Sequence, residues 1–260
     1  MINFNKKKSK SRCNLLRKKI LNLSQNVQAL HIGGSFSSVE LIEVIFFYIK
    51  KKKETFILSK GHAGILLYSI LNMLGKIKNR ELIKYCKKEG KLGVHPDYKN
   101  FGIAASTGSL GHGPGLAAGI SIAEKKNKKI YVLLSDGELQ EGSVWESIIF
   151  ISSKKLNNIV LIIDNNNLQS STLTTDTHPT IYPINSKFKS FGWDVESCNG
   201  HNSHSIFKIL KKKRNKPLAL IAKTIKGYPI SFMSNIPKWH YRSPNKKEYE
   251  DAMMELDNEK

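Results

Sequence analysis

The chain has little sulfur, no long apolar run and too few acids for its bases. Its three cysteines, Cys13, Cys86 and Cys198, are scattered and never spaced as Cys-x-x-Cys. That excludes a disulfide framework and a thiolate zinc site, so they read as ordinary reduced thiols. The longest apolar stretch, residues 39–49, is broken by Glu40 and Glu43 and is too short to cross a bilayer as a helix. Near the N-terminus the lysines of 6–10 are followed by Arg12, Arg17, Lys18 and Lys19. No uncharged signal-peptide core can form there, and a cytosolic location is expected. Between residues 30 and 230 there is no internal repeat and no Pro/Gly/Ser-rich linker. A single domain over 1–260 is therefore expected, with a basic N-terminal tail over about 1–12 and a C-terminal extension over about 241–260.

Acids are outnumbered, 21 Asp and Glu against 42 Lys and Arg, which leaves a formal net charge of +21. Such an excess can mark a surface for nucleic acid or phosphorylated metabolites. Here the lysines form short runs at 50–53, 125–129 and 211–213, each at the edge of an apolar segment, as solvated helix ends and loops do. The chain is also rich in Ile and Asn, which points to a drift in overall residue usage. No nucleic-acid module with stacking aromatics accompanies the charge, so neither nucleic acid nor a membrane is expected as a partner.

What is present is ample for a core, with 40% hydrophobic residues. An opening helix is expected before residue 30, with Leu15, Leu16, Ile20, Leu21 and Leu23 as its apolar face. Ser37 and Ser38 can cap a second helix through Ile42, Val44 and Phe47, and a third follows Gly64 through Leu66, Leu67, Ile70 and Leu71. A small-residue helix starts at Gly113 and runs through Ala117, Ala118 and Ile122. Residues 130–134 and 159–163 read as buried strands, joined by a helix over 143–154. A strand over 193–196, a helix capped near Asn202 or Ser203 and a strand over 218–222 continue the alternation. From Pro229 the chain reads as irregular, until an acidic helical tail after Asn245. Strand, helix, strand predicts an α/β fold, a parallel sheet sandwiched by helices.

In such a sheet, ligands lie beyond the carboxyl ends of the strands. The first buried strand runs into SDGELQEG from Ser135, and the second runs into DNNNLQ from Asp164. Asp followed by Gly can present a carboxylate to a cation while the backbone approaches a diphosphate closely. An Asn and a main-chain carbonyl from the next strand could complete an oxygen shell suited to magnesium, which takes few protein oxygens and several from phosphate. The same residues also make ordinary turns after strands, and taken alone the pair leaves that reading open.

Four more segments set a histidine beside Gly or Pro. They are HIGGSFSS from His31, LSKGHAGILLYSIL around His62, GVHPD around His95 and STGSLGHGPG from Ser106, and WHYRSPN follows around His240. With the two strand ends, these segments resemble the transketolases, thiamine diphosphate enzymes, over about residues 25–245. DGELQEG and the FMSNIPKWH segment are similar to the first subunit of transketolases divided over two chains. Ser135 stands where the family's fingerprint has its first Gly. GSLGHGPG could also be a dinucleotide glycine loop, but its place before the first clear strand and the lack of a later acid speak against that.

The resemblance implies the amino-terminal, diphosphate-binding half of a transketolase, with thiamine diphosphate and Mg2+ (or Ca2+ or Mn2+) as cofactors. By matching position, Asp136, Asn166 and the Leu168 carbonyl would bind the metal, with Gly137 against the diphosphate. His62 would contact the diphosphate, and Gly108, Ser109 and Leu110 would contact the cofactor. His31, His95 and His240 would line the substrate channel, binding hydroxyls or shuttling protons near neutral pH. Glu141 would lie in a subunit interface and couple two active sites; an acid stabilised by a helix dipole accounts for it equally well.

The family's activating glutamate and phosphate-binding arginines are not recognisable here. The resemblance therefore implies a carboxy-terminal partner subunit carrying the pyrimidine-binding domain, sugar phosphates as substrates, a heterotetramer, and no activity alone. A deoxyxylulose-phosphate-synthase-like or sugar-specific transketolase-like enzyme is the alternative with the same cofactor. A basic polyanion-binding module and a nucleotide-binding oxidoreductase are alternatives outside it.

Overall fold

The computed structural model describes residues 3–125 and 127–258. Its strands are β1 (Thr55–Leu58), β2 (Ile130–Ser135), β3 (Ile159–Asn165), a short pair β4 (Leu168–Gln169) and β5 (Thr172–Leu173), then β6 (Asp194–Asn199) and β7 (Leu218–Lys223). Five of them form one parallel sheet in the order β1-β2-β3-β7-β6. β2, β3 and β7 are nearly continuous apolar runs because both faces of the sheet are covered. Side chains alternate between those faces: Tyr131, Leu133, Val160, Ile162 and Leu220 enter one core, while Val132, Leu134, Leu161, Ile163 and Ile221 enter the other.

The helices are α1 (Lys6–Ser24), α2 (Ile32–Phe36), α3 (Val39–Val44), α4 (Gly64–Met73), α5 (Asn79–Leu82), α6 (Gly113–Ala123), α7 (Gly142–Ser153), α8 (Thr174–Thr177), α9 (Ile184–Ser190), α10 (Ser203–Lys211) and α11 (Lys246–Asn258). α1, α3, α4 and α10 build the first core, with Ala252 and Leu256 of α11. α6, α7 and α9 build the second. Among the described residues no helix is long and apolar enough to cross a membrane. The three cysteines are free.

Several local expectations change. Much of the segment expected as a basic tail is helical, since α1 starts at Lys6 with the Asn5 side chain accepting from the Lys8 N–H. Ser9 and Arg12 both reach the buried Glu43 of α3, which anchors that first turn. Leu16, Ile20, Leu21 and Leu23 are buried as expected but Leu15 is 46% exposed; the buried face also takes in Ser9, Cys13, Arg17 and Ser24. The second helix breaks at Val44 into a single π turn, Ile45–Ile49, which leaves Phe47 only half-buried. Ser38 does stand at the N-cap of α3, but it makes no side-chain capping bond, because the Ser37 and Ser38 hydroxyls both donate to Asp164 instead. The strand expected from Trp193 begins one residue later, and the Trp193 indole N–H is spent on the Ile148 carbonyl.

Candidate active site

The carboxyl ends of β1, β2, β3 and β7 open on one cleft of about 400 Å³. His62 reaches it from the short turn after β1, His31 from the residue before α2, and His240 from the one-turn segment Pro237–His240. The His31 ring lies 5.2 Å from that of His62 and 5.0 Å from that of His240. His95 completes the group beside Gly108. Gly108 has φ +149, and a Cβ there would come within 2.9 Å of the His95 ring. Only glycine permits that approach.

His31, His62 and His240 are neutral at pH 7. Burial, then the nearby His95, Lys226 and Lys60, pushes His31 down to about 4. Burial and Lys226 push His240 down to about 3. His62 is also lowered, chiefly by burial and then by Lys60. The Nδ1 of His31 is sealed from solvent and has no hydrogen-bond partner among the described residues.

Asp136 closes β2 and is 2% exposed. Among the described residues its carboxylate accepts the backbone N–H groups of Gly137, at 2.9 Å, and Asn167, at 2.5 Å, and no others. Burial, and secondly Asp164, pushes its carboxyl up to about 7. Asn166 lies just beyond β3, where its Oδ1 accepts from the Leu168 N–H at 3.0 Å. The Leu168 carbonyl accepts from the Lys226 ammonium at 3.3 Å. Among the described residues no three His, Cys, Asp or Glu side chains gather as a metal site. A cation here would depend on one carboxylate plus amide and carbonyl oxygens, a set that fits magnesium completed by phosphate. Gly137 lines the cleft floor, where an added Cβ would meet Gln169 at 2.9 Å.

Of the other residues singled out in the sequence, Leu110 and Glu141 also line the cleft. Ser109 does not; it faces a neighbouring open groove with Thr107, His112 and Leu116. Ser109 and Leu110, between the positive-φ glycines Gly108 and Gly111, thus line different cavities. Glu141 is exposed, at the N-cap of α7, without a capping hydrogen bond.

Three charged residues at the site escaped the sequence reading. Lys226, 3% exposed, places its Nζ 2.9 Å from His240 Nδ1; burial and Lys60 lower it to about 8. Lys60 is paired with Asp164, both side chains sealed from solvent. Glu138, fully buried, accepts from the Ser59 hydroxyl and from the Gly111 and Ser135 N–H groups, and so ties the turn after β1 and the glycine loop to the end of β2. Each was one more charge in a charged chain, and only its partners distant in sequence reveal it.

The family described as the thiamine diphosphate binding domain of transketolase matches residues 10–254. The chain belongs to the transketolase family. It is 36% identical over 260 residues to an apulose-4-phosphate transketolase subunit of Actinobacillus succinogenes, covering 94% of both chains. It is 30% identical over 263 residues to a 6-deoxy-6-sulfo-D-fructose transketolase subunit of a Clostridium species, covering 95% of both. The crystal structure of Campylobacter jejuni transketolase superposes with a TM-score of 0.91 at 27% identity, over 98% of this chain but 43% of that one. The chain thus corresponds to nearly the whole of the subunit relatives and to less than half of that transketolase. It corresponds to the thiamine diphosphate binding domain of the family and resembles the subunit relatives over nearly their whole length.

Proposed function

We propose that this chain holds thiamine diphosphate and Mg2+ in the four-strand cleft and, with a pyrimidine-binding partner subunit, transfers two-carbon ketol units between ketose and aldose phosphates. The observation that carries this reading is Asp136: a buried carboxylate at a strand end, with no ion pair among the described residues and one oxygen on the Asn167 N–H, behind a cleft wall formed by its neighbours Ser135 and Gly137 together with Asn166 and Leu168. A buried carboxylate is costly unless a cation or proton meets it. Asp136, Asn166 and Leu168 would hold the metal, and Gly137, His62 and the Gly108–Leu110 turn would hold the cofactor. Lys226 supplies a positive charge beside the place a diphosphate would take.

When bound, the cofactor supplies the electron sink for breaking and making the ketol carbon–carbon bond. The chain's own part is to bind, orient and move protons. His31, His95 and His240 accept hydroxyl protons of the sugar and return them, a task suited to an imidazole ring open to the cleft. Substrate choice within the family is open to a sugar-specific role, a reading supported by the similarity to the apulose-4-phosphate and sulfofructose subunits. Leu116 of α6, with Ile149 and Phe150 of α7, exposes apolar surface of the sort a partner subunit covers.

The test is to assay ketol transfer from a ketose phosphate to an aldose phosphate with this chain alone and with the partner chain added. Activity only in the mixture is expected. A normal rate from this chain alone would mean that an activating acid lies within these 260 residues and would overturn the divided-site reading.

A further inference from the structure

Lys226 is delivered to the cleft by a tight turn, residues 225–228, and that turn is gripped from behind by residues outside the cleft. The Ile225 N–H donates to His201 Nε2 at 2.8 Å. The Tyr228 carbonyl accepts from Arg17 Nε at 3.2 Å, and the Tyr228 ring stacks on His201 at 3.9 Å. Arg17 in turn forks onto both oxygens of Glu40, at 2.7 and 2.9 Å, and His201 Nδ1 meets Glu40 Oε2 at 3.2 Å. The three side chains are 3%, 7% and 8% exposed, in the order Arg17, Glu40, His201.

The hydrogen bonds define the state of each member. Because a backbone N–H donates to Nε2, that nitrogen carries no proton. The proton therefore sits on Nδ1 and is donated to Glu40, which fixes both the tautomer and the plane of the ring. Glu40 stays ionised: burial alone would raise its carboxyl, and Arg17 followed by His201 brings it below the ordinary range. The charge pair lies at the junction of α1 and α3, two helices with no residue in the cleft, and its output is the placement of one main-chain amide and one carbonyl on either side of Lys226.

We infer that His201, held in one tautomer by Glu40 and Arg17, is a positioning residue that fixes the 225–228 turn and thereby aims Lys226 at the cofactor cleft. This rests on the proposed function for what Lys226 does, though not for how its turn is held. Inside the turn the Tyr228 N–H closes on the Ile225 carbonyl at 3.1 Å, which leaves the Ile225 N–H to His201. The Gly227 N–H binds the Gly33 carbonyl and the Lys226 carbonyl accepts from the Asn235 N–H, but neither bond engages the Ile225 N–H. Behind His201 and Glu40 lies a separate cavity of about 480 Å³, so substitutions at His201 meet open space instead of tight core.

The test compares His201→Phe, which keeps the stack on Tyr228 and loses both hydrogen bonds, with His201→Gln, whose amide oxygen can take the Ile225 N–H. Amide hydrogen exchange is followed on the full chain. His201→Phe should speed exchange at Ile225 by about tenfold, the loss of one hydrogen bond, while leaving β3 unchanged. His201→Gln should restore protection.

Thiamine diphosphate affinity, measured with magnesium on the chain assembled with its partner, then forms a double-mutant cycle with Lys226→Ala. His201→Phe should weaken binding in the native background and add nothing once Lys226 is gone. Additive losses, or unchanged exchange at Ile225 in His201→Phe, would overturn the inference. Should the native assembly bind no thiamine diphosphate, the proposed function fails, and the exchange comparison alone still decides whether His201 holds the turn.

Discussion

Lys60 and Asp164, 104 residues apart in the chain, form an ion pair with side chains 1% and 0% exposed. Asp164 also accepts the hydroxyls of Ser37, Ser38 and Thr224, and Lys60 donates to the Gly34 carbonyl at 2.8 Å. Burial would raise the Asp164 carboxyl, but Lys60 and the hydroxyl donors hold it below the ordinary range. One buried pair thus joins the α2–α3 junction, the turn that carries His62, the strand end before Asn166 and the strand end before Lys226.

Breaking that pair on one side strands a charge. Asp164→Asn or Lys60→Met should each cost about 3–5 kcal/mol, measured by urea unfolding, as removal of one partner of a buried pair does. Lys60→Met with Asp164→Leu together should cost clearly less than the sum. Additive losses would mean the two residues act independently.

Asp136 makes cofactor binding depend on pH. Its carboxyl sits near 7 against an ordinary 3.8, so below about pH 7 the metal-free site is protonated and a cation must displace that proton. Magnesium-dependent cofactor affinity should therefore fall by about tenfold per unit below pH 7 and level off above it. The stability sign runs the other way. A raised carboxyl favours the folded chain most below about pH 4, and that contribution is lost as pH rises through 7. Magnesium with cofactor should raise the melting temperature more at pH 8 than at pH 6; an equal rise at both would contradict the assignment.

His31, His95 and His240 should matter to the substrate more than to the cofactor. Single alanine variants should keep thiamine diphosphate affinity within a few-fold and lose transfer rate by about 10²–10⁴, the range for a positioned acid or base. Steady-state kinetics with a matched cofactor titration separates the two. Full activity in all three variants would leave these histidines as structural.

Most of the sheet was legible because buried parallel strands carry apolar runs, as 130–134 and 159–163 do. The strand ends were legible because Asp136, Gly137 and Asn166 are types whose chemistry shows in a short window. The rest was hidden where a residue's partner is remote. Ser38 stands at the helix start as expected, but that its hydroxyl goes to Asp164 cannot be seen from residue 38. Lys226 belongs to no motif in the sequence, and its place shows only once β7 lies beside β3. Phe47 fits a helical period, and only the packing of the first core shows the π turn at Ile45–Ile49 that turns it half outward.

Ser135, in place of the glycine usual in the family resemblance, is accommodated by a specific contact. Its hydroxyl accepts the Glu138 N–H at 3.2 Å. Ser135→Gly should lose about 1 kcal/mol of stability through that bond and leave cofactor affinity intact. A large gain in cofactor affinity would show that the serine obstructs the site.

The central claim is that this chain grips the cofactor through a metal at Asp136 and Asn166. Calorimetric titration of thiamine diphosphate into the chain assembled with its partner, with magnesium or with a chelator, for native protein and Asp136→Ala, tests it most directly. Saturable binding that disappears on chelation and in Asp136→Ala is the predicted result. Equal, metal-independent binding in both proteins would contradict the account.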